Sequence, residues 1–390
     1  MTTLSEDTLS DYLDASVVSY APPALIGPTS LSCIQQLARM LPGQVSEFFG
    51  FECPLGSSEA AADFLICAKA EEAGREILAG KRAGQQLPTA FDSAAWKTIQ
   101  RFAAIWNDPS SPLFHNVHNC WLEFDIGAAS STVPQPSVFF GSDELRPELD
   151  AGWLVDCALP ILSGGTLSVT ARNGILHCIE RLPQGAQIFQ VGRMLARAST
   201  ATRLCARGIP SEDIPDYLES IGWKGFREDL LVVVEGLAEH TGRIDLDLDV
   251  DSTAMPKLGL ECYTEAHPAA FPNFVTYLES AGFCRPEKAA QLKQWAGMAH
   301  QLSNPTGWPG GLRMVSSFLN GRFHSAFVRW VHHVKVVYEP GRPLQAKAYM
   351  AVKHVWLSPA TLREILLGAL PDLTSKSVET RMPAEERTLC

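Results

Sequence analysis

LQAKAYMAVKHVWL, residues 344–357, decides how this chain is read. Leu344, Ala346, Ala348 and Met350 fall on one side of an extended segment, while Gln345, Lys347, Tyr349 and Lys353 fall on the other. That is the period-two alternation of a strand with one apolar face. A face carrying Lys-x-Tyr deep in a globular chain looks either at bulk water or into a polar cavity.

Working outward, the same alternation recurs in pairs. CWLEFDI pairs with PSVFFG, QIFQVGRMLAR with TRLCARG, RIDLDLDV with KLGLECYT, and VRWVHHVKVVYE with LQAKAYMAVKHVWL. Helix signals follow, as in SEDIPDYLESIGW, FPNFVTYLESAG and SPATLREILLGAL, where Ser358 is a good N-cap and Pro359 takes the first helical position. The unit is ββαα, used four times between residues 119 and 370. The fold class is therefore α+β. Hairpins pairing side by side with helices on one face predict a closed antiparallel β-barrel surrounded by α-helices, its other face lining a lumen. An open sheet with a solvated polar face gives the same alternation and stays as the alternative.

The expected lumen set follows from strand phase. It includes Trp121, Glu123 and Asp125; Asp245, Asp247 and Asp249; Lys257, Glu261 and Tyr263; and Arg329, His333, Lys335, Lys347 and Tyr349. Residues 1–57 are expected to be irregular, apart from a helix at SLSCIQQLARML. Residues 58–370 are expected to form one barrel domain, opened by amphipathic helices over 58–106 (SSEAAADFLICAKAEEAGREIL and FDSAAWKTIQRFAAIW) and continued by the repeat units over 119–370. Residues 371–390 read as a flexible tail.

Composition narrows the function. The 390 residues are 46% hydrophobic, ample for a sizeable core, and carry a net charge of −11, which argues against a nucleic-acid binder. Ten cysteines stand singly, without a C-x-x-C pair, and read as buried thiols of a reducing compartment. The acidic N-terminus lacks the pattern of a signal peptide, and apolar windows such as DLLVVVEGLA are too short for a membrane span. The expected location is cytoplasmic. No GxSxG elbow, P-loop or GxGxxG is present.

With LEFD on the first legible strand, KAY at Lys347–Tyr349 and KLGLECY carrying Lys257 and Tyr263, the sequence resembles the ABBA-type, or PT-barrel, prenyltransferases, which modify aromatic compounds and peptides. The family barrel has ten strands, of which eight are legible here. The resemblance implies transfer of an isoprenyl group from an allylic diphosphate to an aromatic or other nucleophilic acceptor, including a side chain of a peptide natural product. It implies that Glu123 orients or deprotonates the acceptor, and that Lys347 and Tyr349 bind the diphosphate. No cofactor is obligatory on this reading, although Mg²⁺ could assist.

That chemistry needs a stabilised pyrophosphate and a shielded carbocation. Arg193, Arg203, Lys257, Lys335 and Lys347 could converge on phosphate oxygens with Tyr263 and Tyr349 as neutral donors. Trp121 and Tyr263 offer ring faces to the cation, and Glu261 joins them on the acceptor side. Two other readings remain. One is a ligand- or peptide-binding barrel without catalysis, an accessory biosynthetic protein. The other is a metal-dependent hydrolase or transferase built on Asp245, Asp247, Asp249 and Asp251, although the run lacks an EF-hand's glycine turn and distal Glu. His324, His332 and His333 have no metal-ligand spacing and read as structural.

Overall fold

A computed structural model of the protein describes residues 7–126, 133–197, 199–264, 267 and 269–366. The expected tail at 371–390 lies outside the described residues. Eleven strands form one sheet: β1 (Phe48–Pro54), β2 (Asp63–Lys69), β3 (Asn119–Phe124), β4 (Ser137–Leu145), β5 (Gln187–Arg193), β6 (Thr202–Arg207), β7 (Arg243–Val250), β8 (Ala254–Tyr263), β9 (Gly297–His300), β10 (His324–Tyr338) and β11 (Gln345–Leu357). β1 to β8 pair in sequence order, β8 pairs with β10, β10 with β11, and β11 returns to β1. The result is a closed, ten-stranded antiparallel barrel with helices around it, and closure leaves its ten strands without a free edge. β9 is a short addition that pairs with residues 326–329 of β10, outside the ring.

The four hairpins legible in the sequence are all paired as read. The fifth is β1 and β2, and it corrects the reading of the N-terminal region. Residues 7–57 are not irregular: they contain helices Leu9–Ser16 and Pro28–Ala38 and the whole of β1, so the barrel begins at residue 48. The segment SSEAAADFLICAKAEEAGREIL is not one amphipathic helix. It holds β2 and a short helix, Gly74–Leu78. The cause is the run Phe64–Ala68, buried on both faces: Leu65 and Cys67, in register with Glu123 and Trp121, lie on the lumen side yet are themselves apolar. An apolar run of that length carries no period to separate strand from helix.

The outward faces build the core. Phe64, Phe124, Phe140, Leu204, Leu246 and Val336 are fully buried, each removal from water contributing about 1.5–3 kcal/mol. Helix Ala94–Trp106 shows why the helices sit where they do. Ser93 caps it by accepting from the Trp96 amide, and Trp96, Ile99, Phe102, Ala103 and Trp106 recur at helical spacing on the buried face. Trp96 stacks on Phe124 and Phe102 meets Phe140 with centroids 5.3 Å apart, which fastens the helix to β3 and β4. Among the described residues, no helix is long and apolar enough to cross a membrane.

Candidate active site

The inward faces line two adjoining spaces in the barrel. The larger, about 440 Å³, is walled by Phe48, Trp121, Phe139, Phe189, Tyr263 and His332, with Arg207 and Glu261 among its polar groups. The smaller, about 90 Å³, is lined by Arg197, Arg203, Lys257, Lys335, Lys347 and Gln345, with carboxylates from Glu52, Asp247 and Asp249. Glu123, Lys335 and Tyr349 border both. The lumen thus has an aromatic compartment and a cationic one, with those three side chains at the junction.

Strand register explains the junction. Lys335 lies opposite Lys347 on β11 and opposite Glu261 on β8, while Tyr349 lies opposite Glu52 on β1 and His333 on β10. Lys335 Nζ is 2.6 Å from Asp247, 3.3 Å from Glu261 and 4.8 Å from the centre of the Tyr349 ring. Burial disfavours its charge, but Asp247, Tyr349 and Glu261 more than offset that and hold the ammonium protonated. Lys347 Nζ is 2.5 Å from Glu52 Oε1, and the Tyr349 hydroxyl donates to the other Glu52 oxygen. Burial opposes ionisation of Glu52, yet Lys347 and Lys335 bring its pKa down to about 2.

Arg203 makes a two-pronged pair with Asp249 at 2.8 and 2.9 Å. Arg207 and Arg243 share Asp245 at 3.1 and 3.0 Å. The aspartates of β7 therefore answer basic neighbours, and among the described residues no group of three or more His, Cys, Asp or Glu is placed to hold a metal. Glu123 differs from these carboxylates: it has neither ion pair nor hydrogen-bond partner among the described residues. Burial, reinforced by the negative charge of Glu52, pushes it up to about 8, so at neutral pH it is mostly the protonated acid.

Of the residues selected from sequence, Trp121, Glu123, Tyr263, Glu261, Lys335 and Tyr349 line the aromatic compartment, and Arg203, Lys257 and Lys347 the cationic one, Lys257 being exposed. Two basic residues are elsewhere. Arg193 pairs in register with outward-facing Val138, so its guanidinium leaves the lumen and donates to the Thr200 carbonyl and Thr202 hydroxyl. Arg329, expected in the lumen, pairs with Val352 on the outer face, donates to the Ser16 carbonyl and covers the Tyr20 ring at 3.8 Å. The reason is a bulge between Val331 and His333, which reverses the phase of β10 beyond it. The open-sheet alternative ends with barrel closure.

Sequence reasoning missed Glu52, Phe48, Phe139, Phe189 and His332. The first two lie in the unread hairpin. Phe189 sits at a second bulge, between Ile188 and Gln190, and strict alternation does not reveal that both Phe189 and Gln190 reach the cavity. The stretch WPGG, residues 308–311, packs on the outer side of the barrel and leads into a helix. Trp308 packs against Phe327 and donates to Ser325 Oγ at 2.9 Å, and Gly310 opens a helix to Phe318. Ser325 Oγ also meets His354 Nε2 at 2.9 Å, but both residues are buried away from the lumen, where no substrate reaches the hydroxyl.

No protein-family model matches the chain, and no curated protein matches it. Solved structures do. The apo form of prenyltransferase PriB superimposes with a TM-score of 0.50 at 14% identity, over 88% of this chain and 96% of that one. PriB with product diphosphate gives 0.45, and PriB with L-tryptophan and dimethylallyl thiolodiphosphate gives 0.46, at the same identity and coverage. At this level of identity the likeness to apo PriB is one of fold, and it places the ten-stranded ring described above among the PT barrels.

Proposed function

We propose that the protein is a prenyltransferase that moves an isoprenyl group from an allylic diphosphate to an aromatic acceptor, free or as a peptide side chain. The observation that carries this reading is the division of one closed lumen into a cationic and an aromatic compartment meeting at Glu123, Lys335 and Tyr349. The fold likeness to a prenyltransferase supports it.

The diphosphate would occupy the cationic compartment, where Arg203, Lys335 and Lys347 supply charge-assisted hydrogen bonds and Tyr349 a neutral one. As the allylic C–O bond breaks, its electron pair leaves with the pyrophosphate, and the cation forms beside the faces of Tyr349, Trp121 and Tyr263, each contributing about 0.5–2 kcal/mol. The closed barrel keeps bulk water from quenching it. The acceptor ring lies in the aromatic compartment, where the carbonyl oxygen of protonated Glu123 can accept its N–H or O–H. Fixed cations already face the leaving group, so Mg²⁺ would assist at most. Unpaired cysteines, nine of them described, suit a cytoplasmic setting.

The test is incubation with dimethylallyl, geranyl and farnesyl diphosphate, with and without L-tryptophan, L-tyrosine or indole. Slow pyrophosphate release without acceptor, and prenylated product with one, is the expected result. A second reading has one observation in its favour: most lumen cations are already paired with carboxylates, as in a barrel built to hold a neutral guest. Absence of diphosphate binding by calorimetry would establish that non-catalytic reading instead.

A further inference from the structure

We propose that His332 is a catalytic base of this site, taking the proton that the acceptor loses when the new bond forms; the proposal rests on the transferase reading above. The starting observation is the bulge in β10. Val331 pairs with Met350 and His333 with Tyr349, which leaves His332 as the extra residue, without a partner on β11. Bulges re-aim side chains, and here two successive residues both face the lumen. His332 lines the aromatic compartment and remains open to its space, whereas His333 is buried behind it and stacks on Tyr349 with centroids 4.2 Å apart. Its nearest ring neighbours beyond His333 are Phe48, Trp330 and Tyr263, whose centres lie 5.6–6.4 Å from it.

The histidines are joined Nδ1 to Nδ1 at 2.8 Å, so one of these nitrogens carries the hydrogen and the other accepts it. His333 Nε2 lies 3.5 Å from Glu261 Oε1, outside hydrogen-bonding geometry but close enough for the carboxylate's charge to favour the hydrogen on that nitrogen. His333 Nδ1 is then bare, His332 donates through its Nδ1–H, and His332 Nε2 is left with a free lone pair. A base oriented by a second group, itself backed by a carboxylate, is the arrangement general-base catalysis requires.

The groups beside His332 are Glu261 and Tyr263 from β8, Arg207 from β6, Arg243 from β7 and, on its own strand, His333, while Tyr349 from β11 and Lys335 line the same cavity. Although the ring is open to the cavity, the surrounding barrel wall desolvates it and lowers it to about 4, with Arg207 and Arg243 acting in the same direction and Glu261 against them. It is therefore neutral and able to accept a proton at pH 7. Weak basicity suffices, because a ring carbon bearing both hydrogen and a new alkyl group in a delocalised cation is a far stronger acid than imidazolium. Glu123, already protonated at that pH, has no room for this proton.

The step balances as follows. The acceptor's π pair forms the bond to the allylic carbon; the C–H pair then restores aromaticity while the proton goes to His332 Nε2. His332 Nδ1–H stays hydrogen-bonded to His333 Nδ1, which holds the ring as its Nε2 takes the proton.

The test compares the wild type with His332→Asn, whose amide keeps an N–H for His333 but loses the distal nitrogen. The donor is dimethylallyl diphosphate, and the acceptor is whichever of L-tryptophan, L-tyrosine and indole the wild type alkylates on carbon, with and without ring deuteration. The expected result is a fall of about a hundredfold or more in product formed per pyrophosphate released, with a primary deuterium isotope effect absent from the wild type. A purely structural role would produce no isotope effect. If His332→Asn fails to fold by circular dichroism, His332→Gln takes its place. An unchanged product-to-pyrophosphate ratio, or an isotope effect that appears in Glu123→Gln and not in the His332 variant, would overturn the proposal. Failure of the wild type to alkylate any acceptor removes the transferase reading itself, a distinguishable outcome that takes the proposal with it.

Discussion

Lys347 on the last strand and Glu52 on the first meet 2.5 Å apart where the barrel closes, and the Tyr349 hydroxyl binds the same carboxylate. Two donors suited to a diphosphate are thus occupied by an internal anion. A diphosphate entering the cationic compartment must compete with Glu52 for both. Glu52→Gln should therefore bind dimethylallyl diphosphate more tightly, by about tenfold for 1.4 kcal/mol of relieved competition, as measured by titration calorimetry. Weaker binding in that variant would mean that Glu52 positions Lys347 and Tyr349 for the ligand instead of competing with it.

Lys347→Ala tests the cationic compartment from the other side. Losing one preorganised donor to the leaving group should cost about 2.7–4 kcal/mol of transition-state stabilisation, a hundred- to thousandfold in kcat/KM. EDTA should have little effect by comparison. A metal centre on β7 predicts the reverse, with Asp247→Asn inactive and Lys347→Ala mild. Both variants need a thermal melt first, because Asp247 is the 2.6 Å partner of buried Lys335 and breaking such a pair destabilises by about 3–5 kcal/mol.

Much of this site was legible because the lumen is polar where the outer face is apolar. β7, RIDLDLDV, shows its phase in every residue, and so does the Lys347–Tyr349 stretch of β11. Legibility failed where that contrast failed. β2 faces the lumen with Leu65 and Cys67, so its sequence is apolar on both sides and reads as well for a helix. Bulges were the second cause. One extra residue at His332 moved Arg329 out of the lumen and a histidine into it, and a bulge is set by pairing with a neighbouring strand that a single segment does not reveal. Arg193 illustrates a narrower limit: a charged residue at a strand end can find backbone carbonyls on the outer side as readily as a ligand on the inner one.

Glu123 and Glu52 should shape stability against pH in opposite senses. Glu52, lowered to about 2 by its lysines against the cost of burial, contributes stability that is present above pH 4.5 and lost as the pH falls toward 2. Glu123, raised to about 8 by burial, contributes stability that is complete below pH 4.5 and lost as the pH climbs to 8. Glu123→Gln cannot ionise, so it should remove the alkaline decline, gaining on the order of 3 kcal/mol at pH 7 to 8 relative to the wild type. Denaturant titrations at pH 5 and pH 8 measure this. Equal destabilisation at both values would mean that Glu123 makes a specific contact as the acid that Gln cannot replace.

Gly192 gives the aromatic compartment its shape. It pairs with Phe139 across β4 and β5, and a Cβ at this position would lie only 2.3 and 2.4 Å from two Phe139 ring carbons. The ring therefore lies directly over the glycine, and any side chain there must move it. Both strands are held in ladders on each side, so the ring is the part free to turn, and the space beside it is the roughly 440 Å³ cavity that it lines. Gly192→Ala should drive Phe139 into that cavity and lower kcat/KM more for a bulky acceptor such as L-tryptophan than for indole. Pyrophosphate release without acceptor should change little, because the cationic compartment does not contain Phe139. If all acceptors lose activity equally, the strands have moved instead of the ring, and hydrogen exchange along β4 and β5 would show them loosened.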